Sequence, residues 1–211
     1  MNTTNIYAEL KEFKKFKQNY VFEPKEIVTI DDKLYVDGFS LEDDDGKMVS
    51  ETDTWINAGY KIKGAYSKVL SNLFPYTFVF KGKTFRSIEG FFQGIKFKDI
   101  AMQNLVFEYT GTDANHIKVA ASDYNWKESG ILYFQGTAIK RDSPEYLDLV
   151  DELYISAIQN PLYRNVLKNC DKYILHSIGG IDKNDTVFTR YEFEAELNCL
   201  KDFLKQKRTK I

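Results

Sequence analysis

Cysteine and histidine are scarce in this 211-residue chain, with two of each. Cys170 and Cys199 are too few for a disulfide framework and have no metal-ligand spacing. They read as reduced thiols in helices. No grouping of His, Cys and Asp resembles a metal site, and neither metal nor cofactor is expected. No apolar run reaches the length of a membrane span, and the opening residues Met1-Asn2-Thr3-Thr4-Asn5 carry no signal-peptide pattern. A cytoplasmic protein without membrane contact is expected. A surplus of positive charge is also missing: the formal net charge is -2. That argues against holding nucleic acid by bulk electrostatics, while leaving open a pocket that reads one modified nucleotide.

Apolar residues make up 43% of the chain and aromatics 15%, enough for the core of one domain. Basic residues cluster at Lys11–Lys17, Lys81–Arg86 and Lys205–Lys210. The two terminal clusters read as solvated faces, whereas Lys81, Lys83 and Arg86 lead into the stretch described below. The acidic run Leu41–Lys47 lacks the spaced ligands and closing glutamate of a calcium loop, so it reads as a solvated turn.

Periodicity places a helix over Asn5–Gln18, with Ile6, Leu10 and Phe13 on one face. Short strands at Glu26–Thr29 and Lys33–Val36 flank an Asp31-Asp32 turn. Trp55–Tyr66 reads as loop and short strand. Thr77–Phe80 pairs with Thr84–Arg86 across Lys81-Gly82-Lys83. Asp99–Tyr109 is helical with Met102, Leu105 and Val106 inward, and Gly111-Thr112-Asp113 breaks it. Ala114–Ala121 fits a short helix or a strand at Ile117–Val119, and Asp123–Trp126 an aromatic loop. Ser143 caps a helix running to about Gln159, with Pro144 at its first position. Its inward residues are Leu147, Val150, Leu153, Tyr154 and Ala157. Asn160-Pro161 starts another through Leu167. Tyr173–Ser177 is a buried strand, and Thr189 caps a last helix, Arg190–Lys205. The expected class is α+β: one helix-rich domain around a small β-sheet.

The most informative stretch is Gly82 to Phe97. Ser87 is a good N-cap, and Glu89 falls in the first turn, where a carboxylate suits the helix dipole. Ile88, Phe91, Phe92 and Ile95 form an apolar face at i, i+3, i+4, i+7. Glu89, Gln93 and Lys96 form a polar stripe beside it. Gly90 and Gly94 each cost a helix roughly 1 kcal/mol against alanine, which points to close approach of a backbone or a ligand.

Ser87-Ile88-Glu89-Gly90-Phe91-Phe92-Gln93-Gly94-Ile95-Lys96-Phe97 resembles the signature of the NADAR (YbiA-like) family, of the form S-x-E-x-x-x-Q-x-x-K-F. Leu70-Ser71-Asn72-Leu73-Phe74-Pro75 is similar to that family's upstream segment. Trp126, Tyr133-Phe134-Gln135-Gly136 and Arg141 with Ser143–Tyr146 resemble its middle, and Asn160–Leu167 its "NPxfRxxL" helix. The likeness covers roughly Ala65 to Phe203. It implies a YbiA-like catalytic domain over residues 61–205, preceded by a family-specific extension (1–60) packed on it and followed by a basic tail (206–211).

The resemblance implies an enzyme that hydrolyses the bond between ribose C1 and an exocyclic amine. The expected partner is an ADP-ribosylated guanine nucleotide or nucleic acid, with no obligate protein partner. Ribosylamino-pyrimidine phosphates of riboflavin synthesis are the alternative substrate, and a non-catalytic module sequestering ADP-ribose is the alternative function. The implied catalytic residues are Glu89 and Lys96, with Asp182 near where the family carries an aspartate. Around it, His176 to Thr189 departs from the family's shorter glycine-rich wording. Ser71, Asn72, Phe74, Gln93 and Trp126 are implied substrate contacts, Trp126 by stacking a base. Arg86 and Arg141 are candidates to hold phosphates by guanidinium fork geometry. Glu89 either activates water or shuttles protons for a Lys96 Schiff base, the route favoured here. His176, at the end of an apolar strand, reads as a hydrogen-bonded core residue. His116 reads as a surface one.

Overall fold

The computed structural model describes residues 3–116 and 126–208. Helix α1 (Thr3–Lys17) leads into short strands β1 (Val28–Ile30), β2 (Lys33–Val36), β3 (Phe39–Ser40) and β4 (Trp55–Asn57). Then follow α2 (Ala65–Leu70), β5 (Phe78–Phe80), β6 (Lys83–Phe85), α3 (Ile88–Gly94), α4 (Ile100–Phe107) and α5 (Gly111–His116). The second half holds α6 (Trp126–Ser129), β7 (Ile131–Phe134), β8 (Thr137–Lys140), α7 (Pro144–Ala157), α8 (Pro161–Asn169), β9 (Tyr173–Leu175) and α9 (Arg190–Arg208). The expected strand at Ile117–Val119 and the loop at Asp123–Asn125 lie outside the described residues.

The class is α+β, but the expected single sheet is replaced by one three-stranded and three two-stranded sheets among the described residues. Strands this short pair locally, and the helices carry the core. One pairing is long-range: β4 runs parallel to β9, with Trp55 opposite Tyr173 and Asn57 opposite Leu175. The first sixty residues therefore complete a sheet with a strand from late in the chain. Trp55 and Leu175 are fully buried together with Val36 and Leu41.

Two inward assignments are corrected. Leu105 and Leu147 are 46% and 47% exposed. On α4 the buried positions are Gln103, Val106 and Phe107. Gln103 is buried because its amide replaces water: Nε2 donates to the carbonyls of Phe97 (2.6 Å) and Tyr133 (3.0 Å), and Oε1 accepts from the Gln135 backbone N–H (2.9 Å). On α7 Tyr146 takes the inward position, donating its hydroxyl to the Val187 carbonyl at 2.5 Å.

The helix before Gly111 ends at Phe107, and Gly111, expected with Thr112 and Asp113 to break it, opens α5. A Cβ there would lie 2.2 Å from the Leu73 backbone, so glycine allows the helix to start against that segment. The glycines of α3 work the same way. A Cβ on Gly90 would meet the Val106 carbonyl at 3.1 Å, and one on Gly94 would meet the Phe107 ring at 2.3 Å. Helix α4 therefore crosses α3 on its glycine side. Gly94→Ala is expected to destabilise the fold by about 1–3 kcal/mol through overpacking, measured as a shift in urea midpoint.

Helix α1 docks by Phe13, fully buried and edge-on to Phe203 at 5.4 Å. Lys17 joins it to α7 through Asp151 (2.5 Å) and to α9 through Glu196. Burial raises the Glu196 carboxyl from 4.5 to about 7, and its Oε1 has no hydrogen-bond partner among the described residues. A raised pKa means the folded state binds the proton more tightly. The stability contributed is present below the unfolded value and is lost as pH rises from about 4.5 to about 7. Urea unfolding across that window should show a smaller fall in Glu196→Gln than in wild type. His176, held below its ordinary value by burial, contributes the opposite slope and is common to both proteins.

Candidate functional site

Helix α3 begins as its sequence dictates. Ser87 Oγ accepts from the Gly90 N–H at 3.0 Å and donates to the Tyr109 carbonyl at 3.3 Å. Ile88, Phe91, Phe92 and Ile95 are all buried. The helix closes at Gly94, and the chain continues as a tight turn in which the Lys96 N–H donates to the Gln93 carbonyl (3.3 Å). Lys96 therefore stays on the side of Glu89 and Gln93 although it lies beyond the helix. Its position is fixed from behind, where the Ile95 carbonyl accepts from the Tyr133 N–H at 2.7 Å and the Phe97 carbonyl from Gln103.

The polar stripe is a hydrogen-bonded row. Gln93 Nε2 donates to Glu89 Oε1 at 2.7 Å, and Lys96 Nζ donates to Gln93 Oε1 at 2.7 Å. Gln93 and Lys96 are buried, and Glu89 is half-buried. Lys96 Nζ also lies 5.6 Å from the centre of the buried Trp126 ring, within cation–π range. The C-terminal end of α3 adds the negative pole of a helix dipole. A solvated face would hold none of these groups this way.

The segment at Ser71-Asn72 crosses the start of α3, where the Asn72 carbonyl accepts from the Glu89 N–H at 2.9 Å. Asn72 Oδ1 accepts from the buried Tyr154 hydroxyl at 2.8 Å. Together these walls and the stretch from His176 to Phe193 enclose a cleft of about 240 Å³, lined by Ser71, Asn72, Glu89, Gln93 and Lys96 on one side. The other side is His176, Ile178, the Gly179-Gly180 turn, Val187, Phe188 and Phe193. Phe188 stacks on Phe92 of α3 at 4.7 Å.

The remaining candidate residues lie elsewhere. Asp182 is exposed, outside the cleft lining, and its Oδ1 accepts from the Asn184 N–H at 2.8 Å, as in an Asx turn. Arg141 is buried against the Tyr146 ring and paired with Glu192 (2.5 Å) and Asp142, so its fork is already engaged. Arg86 is exposed and outside the cleft lining, and Phe74 packs partly buried against the core. The opposite wall was not recognised from the sequence as part of the site: His176 read as a hydrogen-bonded core residue, and its ring does bond to the Ala58 carbonyl while lining the cleft. The wall's only local signal was an apolar strand running into two glycines.

The fold is α+β, and sequence comparison places the chain, with its Ser87–Phe97 site helix, in the NADAR (YbiA-like) superfamily. Residues 64–202 match the family described as bacteriophage protein GP30.3, and the chain belongs to that family, within the same superfamily. A 17.1 kDa protein from the Gp30-rIII intergenic region of Enterobacteria phage T4 is 36% identical over 141 residues, covering 65% of this chain and 91% of the phage protein. No solved structure matches. No helix among the described residues is long and apolar enough to cross a membrane.

Proposed function

We propose that the cleft hydrolyses an N-glycosidic bond between ribose C1 and an exocyclic amine, with ADP-ribosylated guanine in nucleic acid as substrate. The observation that carries this is the Glu89–Gln93–Lys96 row: a carboxylate and an amine joined through one amide on the wall of a small cleft. Its volume is below the ~300–1,000 Å³ of pockets that enclose drug-sized ligands. It would hold the sugar and the atoms around C1, leaving the rest of the nucleotide outside.

The favoured route uses both end groups. The glycosylamine opens its ring to a C1 imine, the Lys96 ammonium passes a proton to Glu89, and the freed amine adds to C1. Glu89 protonates the departing exocyclic nitrogen, which leaves as the free amine, and C1 remains as an imine on Lys96. Water then adds to that imine, releasing Lys96 and an aldehyde that closes to the free ribose. The net change is addition of one water across the bond. In a bacteriophage family such chemistry would reverse ADP-ribosylation of nucleic acid.

The test incubates the protein with a guanine-ADP-ribosylated oligonucleotide and follows free ADP-ribose by chromatography. Release with recovery of unmodified guanine is expected. Tight ADP-ribose binding without release would replace the enzyme by a sequestering module.

A further inference from the structure

The wall facing α3 carries a group that the glycosidase reading does not use. His176 follows β9 and is half-buried in the cleft lining. Its Nδ1 lies 2.8 Å from the Ala58 carbonyl oxygen. A carbonyl only accepts, so Nδ1 carries the proton and Nε2 of the neutral ring is an acceptor.

The ring is held from several directions. It packs on Phe193 at 4.4 Å, and the His176 backbone N–H donates to Glu194 Oε1 at 2.9 Å. Gly179 closes over its edge, where a Cβ would sit 2.6 Å from His176 Cδ2. The charged groups facing it, Arg190 and Glu194, are paired with each other at 2.8 Å. Burial holds the imidazole below its ordinary value, which keeps it neutral near pH 7. Around it the wall is apolar: Ile178, Val187, Phe188 and Phe193. The Thr186 hydroxyl on the same wall already donates to the Phe188 carbonyl at 3.1 Å.

We propose that His176 is a substrate-binding residue whose Nε2 accepts a hydrogen bond from a sugar hydroxyl, orienting the sugar against the Glu89–Lys96 wall. This rests on the reading of the cleft as a ribose site. A lone acceptor on an apolar wall discriminates: a hydroxyl placed there satisfies it, and a ligand lacking one leaves it buried and unpaired.

The variant His176→Asn separates this role from a structural one. Its shorter amide can still donate to Ala58 while nothing replaces Nε2. Calorimetric titration with ADP-ribose should show affinity about 10-fold weaker than wild type, as for one neutral hydrogen bond, with the thermal midpoint little changed. In wild type, nitrogen NMR at pH 7 should show Nε2 unprotonated and shifting on ADP-ribose addition. His116 is the only other histidine, so the signal is readily assigned and does not depend on the variant folding. Equal affinity in wild type and His176→Asn, or a protonated Nε2 at pH 7, would overturn this assignment and leave the glycosidase reading standing. A wild type that neither binds ADP-ribose nor releases it would remove both.

Discussion

Glu89→Gln is expected to lower release of ADP-ribose from the modified oligonucleotide by about 10²–10⁴-fold, the usual contribution of a positioned acid–base group. The substitution is close to isosteric. An amide oxygen at the same place still accepts from Gln93 Nε2, which donates to Glu89 Oε1 at 2.7 Å. The cap of α3 is untouched, because it is made by Ser87 and Gly90. ADP-ribose affinity and thermal midpoint should therefore stay near wild type while turnover falls. The Glu89 side chain would have lost its negative charge and its ability to give and take a proton. Unchanged turnover would mean that Glu89 is a wall of the cleft and no part of its chemistry.

Lys96→Arg is expected to lose at least about 10³-fold in turnover, as when a covalent nucleophile is removed. Arginine keeps the positive charge, can donate to Gln93 and can stack on Trp126, but it does not form an imine under these conditions. The choice of arginine decides between two mechanisms. If Lys96 only stabilised developing negative charge, arginine would retain much of the rate. If it is the nucleophile, arginine is as inactive as Lys96→Met. Initial rates of the three proteins on one substrate make the comparison, and thermal melts check that the variants are folded.

Much of α3 was legible because its determinants are local. A cap, an apolar face at helical spacing and a polar stripe all lie within eleven residues, and two glycines signalled close approach without saying what approached. The Phe107 ring and the Val106 carbonyl fill that role. The capped starts of α7 and α8 were legible for the same reason. What failed depends on distant partners. Arg141 looks like a phosphate fork until Glu192, on α9, is seen to hold it. Asp182 stands near the glycine turn in sequence but faces solvent, since a turn aspartate bonds to its own backbone. His176 was read from its apolar strand alone. The parallel pairing of β4 with β9, and the Ala58 carbonyl just beyond β4, give its ring a direction that no neighbouring residue encodes.

The Lys96 imine is tested most directly by running the reaction in sodium borohydride, which reduces a transient imine to a stable amine. Digestion and mass spectrometry then locate the adduct. One reduced sugar adduct is expected on the peptide carrying Lys96, dependent on substrate and absent from Lys96→Arg. Steady turnover with no adduct at Lys96 would contradict it, and would leave Glu89 acting on water alone.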